Sequence, residues 1–264
     1  KNERKACEMK KFLFGFVLCL MMAGACFAAE ETMKVFVGAT EYGKPYIFKN
    51  KDGNADGFEG DMWREIARRA NFDVEFKYNS FAALFGLLDN GEIDLIAHFV
   101  GRTPARLEKY AFSDVYSYAA LQLLLKNGTE PVTEVRQLWG KTVGVSAGSA
   151  SAGVLKRLDP DGKIDIRIYD NWKLIPRDVE MGRIFAYFGN SVSMIHDLKD
   201  MGVDCTINPW ILHATEVAYP YSRGRERSEQ IMARVNRTLA EMLADGTIKG
   251  LSEKWFSLDT TVSE

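Results

Sequence analysis

The sequence predicts an α/β fold made of two α/β lobes with a ligand cleft between them. Apolar β-rich runs alternate with amphipathic helical patterns along most of the chain, and this order occurs twice. The second occurrence closes on residues 181–188, which echo residues 90–97. The composition is that of an ordinary globular protein, since 47% of the 264 residues are hydrophobic and 27% are charged. Two repeated halves of this kind predict two lobes, each with a parallel sheet.

The first half begins with a short β-rich run and then alternates helix and strand. Its predicted elements are a strand at 34–38, a helix at 61–70, a strand at 74–78, a helix at 81–88 and a strand at 93–100. Trp63, Ile66 and Ala70 lie on one face of the first helix, at amphipathic spacing. Gly91 is a typical left-handed stop for the second helix. The continuous apolar run that follows is typical of a buried parallel strand.

The second half repeats this order, and the chain ends in helices. Its predicted elements are a strand at 141–145, a helix at 150–158, a strand at 164–169, a helix at 173–181 and a strand at 184–189. Ser228 is the predicted N-cap of a C-terminal helix with an apolar stripe at Ile231, Val235, Leu239 and Met242. Ligands of open α/β sheets bind at the carboxyl ends of the strands, so we expect the site between the lobes.

The N-terminus reads as a secretory leader. Lys10 and Lys11 precede an uncharged stretch at 12–29, whose strongly apolar part is shorter than the ~20 residues that span a bilayer. Residues 1–28 are therefore predicted to be a signal peptide with an upstream extension, and the protein to be periplasmic. Two alternatives stay open, which are an uncleaved anchor and a lipoprotein box at 23–26 with Cys26 lipidated. Cleavage would leave Cys205 without a disulfide partner.

Charge and motifs exclude several classes of function. The formal charge of −2 gives no basic footprint for nucleic acid. His98, His196 and His213 are too scattered for a metal site, and no Walker loop or GxGxxG motif indicates a nucleotide. We expect no cofactor and no metal.

Seven ordered motifs point to a known family. They are GFEGDM at 57–62, NGEIDLI at 90–96, RTPAR at 102–106, FSDVY at 112–116, GKTVGV at 140–145, GRI at 182–184, and the ending DGT at 245–247 with EKWF at 253–256. In these motifs the chain resembles the extracytoplasmic solute-binding proteins of ABC importers for polar amino acids, which are type II periplasmic binding proteins of family 3. The resemblance runs from about residue 34 to residue 256.

The resemblance implies both an architecture and a function. Lobe 1 would contain residues 33–118 and 218–259, and lobe 2 residues 119–217, with crossing strands near 117–121 and 216–221. The implied function is binding of an amino acid or a related small carboxylate between the lobes, for delivery to an ABC permease. The implied protein is a monomer and not an enzyme.

The resemblance also implies which residues line the carboxylate end of the site. Arg106 matches the arginine that clamps the ligand carboxylate, and a guanidinium fork suits that role. Ser149 and Ala150 open a helix whose free N–H groups could take the same carboxylate. Phe81 matches an aromatic wall, and Tyr42 lies one position before a second aromatic position that Gly43 occupies. Arg106 could instead be a surface arginine, Ser149 a helix cap and Phe81 a core residue.

The chain departs from the family pattern at the amine end. Asn190 stands where an aspartate commonly holds the ligand ammonium, Gly101 where a serine or threonine assists, and Thr40 where an acid often lies. Loss of one partner of a desolvated charge pair costs about 2–5 kcal/mol. A zwitterionic amino acid should therefore bind poorly unless Glu59 or another acid substitutes. We accordingly expect a carboxylate ligand whose second pole is neutral or differently placed.

Other functions remain open at this level. A ligand-sensing or degenerate binding domain would carry the same motifs. The G-x-S-x-G pattern at 144–148 would suit a serine hydrolase with Ser146 as nucleophile, His196 or His213 as base and Asp178 as acid. A cyclohexadienyl-dehydratase-like lyase shares the two-lobed fold, which makes it conceivable by analogy alone.

Overall fold

The structure is a computed structural model and describes residues 31–262. The predicted signal peptide, the alternative anchor and Cys26 lie outside these residues. None of the helices in the described part has both the length and the apolar composition that a membrane crossing requires.

The described chain up to Phe112 contains the first group of elements. The strands are β1 (Met33–Ala39), β2 (Tyr42–Gly43), β3 (Ile47–Lys49), β4 (Ala55–Asp56), β5 (Phe72–Tyr78), β6 (Leu95–Ile96) and β7 (Tyr110–Phe112). The helices are α1 (Phe58–Ala70), α2 (Phe81–Asn90) and α3 (Pro104–Lys109). Gly91 ends α2 in the left-handed conformation, as its position in the sequence predicts.

The second group follows a short connection. Its strands are β8 (Ser117–Lys126), β9 (Thr142–Ser146), β10 (Asp165–Tyr169), β11 (Ala186–Asn190), β12 (Cys205–Ile207) and β13 (His213–Val217). Its helices are α4 (Ser151–Leu158), α5 (Leu174–Glu180) and α6 (Ser191–Met201), and a 3₁₀ turn covers Val135–Leu138. The chain ends with β14 (Pro220–Ser222), α7 (Glu226–Ala244) and α8 (Thr247–Phe256).

Strand pairing divides these elements between two main sheets. The sheet of lobe 1 has the order β5-β1-β6-β14-β7, and the sheet of lobe 2 has the order β10-β9-β11-β8-β12, with β13 paired to β8. Each sheet has a parallel part, since β1 is parallel to β5 and β6, and β9 is parallel to β10 and β11. The antiparallel pair β8 and β13 lies where the chain passes twice between the lobes. The predicted exact lobe boundaries remain a prediction.

Each lobe has its own apolar core. The stripe predicted on the long C-terminal helix is confirmed, because Ile231, Val235, Leu239 and Met242 are all fully buried against α1 and the sheet of lobe 1. In lobe 2 the apolar residues of β8, β9 and β11 pack against α4. The separate cores let each lobe hold its part of the cleft.

Three local predictions need correction. The predicted strand at 93–100 pairs only over Leu95–Ile96, because the backbone turns at Phe99 with a φ of 51°. The predicted all-parallel sheets are mixed, since β14 and β8 enter them antiparallel. Ser228 lies buried inside α7, whose N-cap is Arg225.

Candidate functional site

A cavity of about 1020 Å³ lies between the two lobes. Lobe 1 lines it with the segment after β1, the start of α2 and the segment after β6. Lobe 2 lines it with the ends of β9 and β11 and the residues after β10, while the paired strands β8 and β13 form its floor. These are carboxyl ends of parallel strands, where ligands of α/β sheets bind. The expected position of the cleft is therefore confirmed.

Arg106 is the principal cation of this cavity. Pro104 begins α3, and the Thr103 side chain caps it by accepting a hydrogen bond from the Arg106 amide at 3.3 Å. The guanidinium donates to the carbonyls of Gly101 and Gly148, each at 2.8 Å. Two of its five N–H groups are thus bonded to described backbone, and three are left for a ligand.

The surroundings of Arg106 are apolar. Its guanidinium carbon lies 5.6 Å from the ring centre of Phe81 and 4.9 Å from that of Phe85, which is cation–π distance. Burial lowers the pKa of Arg106 to about 10, so the side chain remains charged at neutral pH. A charge in such a site interacts more strongly with an anion than an exposed arginine does.

The two lobes touch across the cleft. The bond from Arg106 to Gly148 joins α3 of lobe 1 to the loop before α4 of lobe 2. Gly148 has a φ of +75°, and a Cβ there would lie 3.2 Å from the Cα of Ala82. At the rim, Tyr42 is 71% exposed, and the Lys173 ammonium lies 5.5 Å from its ring centre. These contacts join residues of the two lobes directly across the cleft.

The helix opening at α4 lies in the cavity, and Ser149 lines the cavity but is not the N-cap of the helix. The Ser149 hydroxyl donates to the Ser146 carbonyl at 2.7 Å, so its proton is already used. The N-cap is Ala150, which has no side-chain cap. What this helix offers an anion is therefore its first-turn backbone N–H groups.

The aromatic wall is built by Phe81 and by a residue that the sequence analysis missed. The His98 ring stacks on Phe81 with centroids 4.6 Å apart. A Cβ at Gly43 would lie 2.7 Å from His98 Nε2, so the imidazole fills the space beside this glycine. Burial, together with the charge of Arg106, lowers the pKa of His98 to about 4 and keeps the ring neutral at neutral pH.

Thr215 is a second cavity residue that the sequence did not reveal. A Cβ at Gly101 would lie 2.6 Å from Thr215 Cγ2, so the threonine occupies the space of the missing side chain. Thr215 is 5% exposed, and its hydroxyl has no hydrogen-bond partner among residues 31–262. Buried polar atoms are rarely left unpaired, and the residue that carries this one belongs to the lining of the cavity.

The two residues that the sequence places at the amine end, Asn190 and Thr40, line the cavity and carry no charge. Asn190 lines the cavity, but its side-chain oxygen caps α6 by accepting from the Val192 amide at 2.9 Å. Thr40 is 9% exposed and donates to the Ile47 carbonyl at 3.4 Å. Two acids that the sequence analysis did not single out, Glu41 and Asp170, line the cavity elsewhere.

Glu59 does not reach the cavity, which corrects its expected role. It is fully buried in lobe 1 and accepts from Tyr116 Oη at 2.5 Å, Tyr219 Oη at 2.7 Å and the Phe99 amide at 2.9 Å. Burial raises its pKa to about 7. Tyr116 precedes β8 and Tyr219 follows β13, so Glu59 ties α1 to both passages between the lobes.

The hydrolase arrangement is not assembled. Ser146 lines the cavity, but Asp178 is bonded to Tyr169 and Arg183, with distances of 2.7 and 3.0 Å. His196 pairs with Asp200 at 3.1 Å. In the part of the chain that the structure describes, no group of three His, Cys, Asp or Glu side chains could hold a metal ion.

The family model of bacterial extracellular solute-binding proteins, family 3, matches residues 35–258. The chain belongs to this family. This confirms the resemblance drawn from the motifs, and the fold is that of the type II periplasmic binding proteins. The relatives of this chain that are described next are substrate-binding proteins.

Family 3 relatives match along nearly the whole chain. PatH of Vibrio harveyi, whose name links it to amino-acid ABC transport, is 34% identical over 96% of this chain and 100% of its own. The L-cystine-binding protein TcyJ of Escherichia coli K12 is 28% identical over 88% of this chain and 86% of its own. An ancestral arginine-binding protein solved with arginine has a TM-score of 0.75 and 26% identity, covering 84% of this chain and 98% of that chain.

Proposed function

We propose that this chain is the solute-binding component of an ABC importer and binds an amino acid or a related small carboxylate between its lobes. Arg106 carries the proposal, because it is a partly buried guanidinium that borders the cavity and uses only two of its N–H groups on described backbone carbonyls. A guanidinium of this kind makes two parallel, charge-assisted hydrogen bonds to a carboxylate.

The carboxylate would be held from both lobes. Arg106 donates to the Gly101 carbonyl and Thr215 packs against Gly101, while Ala150 and Ser151 at the start of α4 line the same cavity from lobe 2. Binding would thus favour the closed arrangement, because it adds contacts that only the closed lobes supply. The closed protein would then present the ligand to the membrane permease.

The rest of the ligand would lie along the aromatic wall of Phe81 and His98. The remaining sequence-predicted residues that line the cavity are proposed as further ligand contacts, namely Thr40, Tyr42, Gly101, Ser149 and Asn190. The cavity is at the upper end of the roughly 300–1,000 Å³ usual for small-molecule sites, so it has room for a long side chain. TcyJ and the ancestral arginine-binding protein are named for ligands of that kind.

A role in transport also leads to expectations about the location, oligomeric state and lobe boundaries of the protein. The protein would be exported to the periplasm or held at the cell surface by a lipid on Cys26, and it would act as a monomer without a catalytic step. Lobe 1 would contain residues 33–118 and 218–259, and lobe 2 residues 119–217. A ligand sensor with the same cleft would bind the same compounds, so genomic neighbours would separate the two roles.

A thermal-shift screen against amino acids, their deaminated analogues and small dicarboxylates tests the proposal. A ligand at 100 times its Kd adds about 2.7 kcal/mol to the free energy of unfolding. For any compound that raises the midpoint, Arg106→Ala should weaken binding roughly 30-fold or more, because a desolvated charge loses its partner. Arg167→Ala, an exposed arginine on β10, should bind like wild type. No shift with any carboxylate would refute the proposal.

A further inference from the structure

The His98 ring takes a stacking position on the aromatic wall of the cavity. Phe81 and His98 both line the cavity, and their ring centroids lie 4.6 Å apart with 27° between the ring planes. Offset stacking at such a distance is an arrangement that planar groups prefer. Phe85 also meets the Phe81 ring edge-on, with centroids 5.5 Å apart, and the Arg106 guanidinium carbon lies 5.6 Å from its centre. A ligand therefore meets a phenyl ring that already has a planar partner.

The packing of lobe 1 holds the imidazole in this position. Tyr46 lies next to it with ring centroids 6.2 Å apart, and Tyr46 is itself stacked on Phe99 at 4.8 Å. Tyr46 and Phe99 are buried in the core of lobe 1. The Gly43 backbone is close as well, since a Cβ there would lie 2.7 Å from His98 Nε2. Because protein interiors are close-packed, a ring between these neighbours has little space into which it can move away from Phe81.

The other aromatic rings of the cavity that are not buried also have a partner within the described chain. The Lys173 ammonium lies 5.5 Å from the ring centre of Tyr42 and 5.7 Å from that of Trp172. The Lys49 ammonium lies 5.1 Å from the ring centre of Tyr78. These are cation–π distances. A planar ligand group would therefore compete with a side chain of the protein at each of these rings.

We propose that His98 is a specificity-determining residue, whose imidazole occupies the stacking position on Phe81 and thereby excludes ligands with a planar side-chain group. Aromatic, imidazole, amide and guanidinium groups are planar in this sense. The ligand class narrows to carboxylates with a flexible, non-planar chain, which can lie along the wall without displacing His98. This inference rests on the proposed function, because it concerns the selectivity of the same cleft.

Removal of the imidazole should change the selectivity of the cleft. His98→Ala would leave a space of about the size of an imidazole, bordered by Phe81, Tyr46 and Gly43. Empty spaces lined by apolar side chains bind small molecules that fit them. Stacking on an aromatic ring adds affinity beyond the area that is buried. The variant should therefore gain affinity for the planar ligands that wild type excludes.

The test measures selectivity by isothermal titration calorimetry at pH 7.5 with three pairs of carboxylates. The pairs are L-lysine with L-arginine, L-methionine with L-histidine, and hexanoate with 3-(imidazol-4-yl)propionate, and the second member of each has the planar group. The third pair lacks an amine, so its result does not depend on that group. Wild type should prefer the non-planar member of every pair that it binds. His98→Ala should bind the planar members about 10-fold more tightly than wild type does.

Further measurements make the result specific to the stacking position. Free imidazole should compete with the planar probes in His98→Ala and leave binding by wild type unchanged. The double variant His98→Ala with Phe81→Leu should lose the gain, because the aromatic ring is absent. His196→Ala is the matched control and should keep wild-type selectivity, since His196 pairs with Asp200 and lies outside the cavity lining. His98→Ser also empties the space and replaces His98→Ala if that variant melts too low to titrate.

The outcomes separate the inference from the proposed function. No gain for any planar probe in the His98 variants would overturn the inference, and so would an equal gain for both members of the pairs. Preference of wild type for the planar members would overturn it as well. In these cases the proposed function stands as long as wild type binds a carboxylate in the cleft. The proposed function fails separately if wild type binds no probe and no other carboxylate.

Discussion

Glu59→Ala should destabilise the protein strongly, although Glu59 is not in the cavity. The substitution removes the acceptor of three buried donors, which are the hydroxyls of Tyr116 and Tyr219 and the amide of Phe99. Each buried donor left unpaired costs about 1–3 kcal/mol. The two phenols are stacked with centroids 4.6 Å apart and could pair with each other in part. A loss of about 3–5 kcal/mol follows, and denaturant unfolding measures it.

In a thermal melt this loss corresponds to a fall of roughly 6–20 °C, at about 2–4 °C per kcal/mol for a domain of this size. Glu59→Gln keeps the shape and an acceptor, so it should lose much less. A loss below about 1 kcal/mol for Glu59→Ala would refute the reasoning, because the three donors would then have found other partners.

The same carboxyl group predicts a pH dependence with a definite sign. Burial raises the pKa of Glu59 from 4.5 to about 7, so the folded state holds the proton more tightly than the unfolded state. Its contribution is full below pH 4.5 and is lost as the pH rises through 7, by about 3 kcal/mol in total. The unfolding free energy of wild type relative to Glu59→Gln should therefore fall by that amount between pH 4.5 and pH 8, which makes the variant the more stable protein at pH 8. A constant difference from pH 4.5 to pH 8 would contradict this.

Three substitutions in the cavity wall have expected outcomes of their own. Thr215→Val should weaken the binding of a carboxylate ligand about fivefold in calorimetry, because it removes one hydrogen bond to the ligand. The melting temperature should not fall, because the hydroxyl that is lost is buried without a partner in the described chain. An unchanged affinity would place Thr215 outside the binding contacts. Gly148→Ala should weaken ligand binding, because its Cβ would press on Ala82 of the other lobe. The radius of gyration of the variant, measured by X-ray scattering with saturating ligand, should exceed that of wild type. An equal radius of gyration would contradict the close contact between Gly148 and Ala82. Gly43→Ala should lower the free energy of unfolding by about 1–3 kcal/mol in denaturant unfolding. The reason is that its Cβ would lie 2.7 Å from His98 Nε2 and 2.8 Å from the Ile47 carbonyl. A variant as stable as wild type would show that His98 and its neighbours can move to make room.

Local sequence signals predicted the elements that depend on local physics. The left-handed stop at Gly91 and the stripe around Val235 follow from backbone freedom and helical spacing, and both are present. The prediction of one continuous strand at 93–100 is wrong. The hydrophobicity of this run indicates burial, which the structure confirms for Leu95, but it does not indicate strand pairing. Whether a buried segment pairs depends on strands that are distant in sequence.

The residues of the candidate site also fall into two groups, those that the sequence indicates and those that only the fold brings into place. Arg106 is named by the resemblance to the family, while the local pattern at Thr103 and Pro104 predicts only the start of its helix. Thr215 and His98 could not be found from local pattern, because each enters the site through a contact with a distant glycine, Gly101 or Gly43. Such contacts become visible only once the strands and lobes are in place.

Glu59 shows why an acid in a motif is not by itself a ligand contact. Glu59 lies in a strong motif, yet Tyr116 and Tyr219 enclose it within the core. Only the packing decides which carboxyl group reaches the ligand.

The most direct test of the account is a crystal structure of the protein with the compound that gives the largest thermal shift. The account predicts closed lobes around one ligand, with its carboxylate oxygens about 2.7–3.0 Å from the Arg106 guanidinium. A ligand bound outside the cleft, or bound inside it with no carboxylate at Arg106, would contradict the central claim.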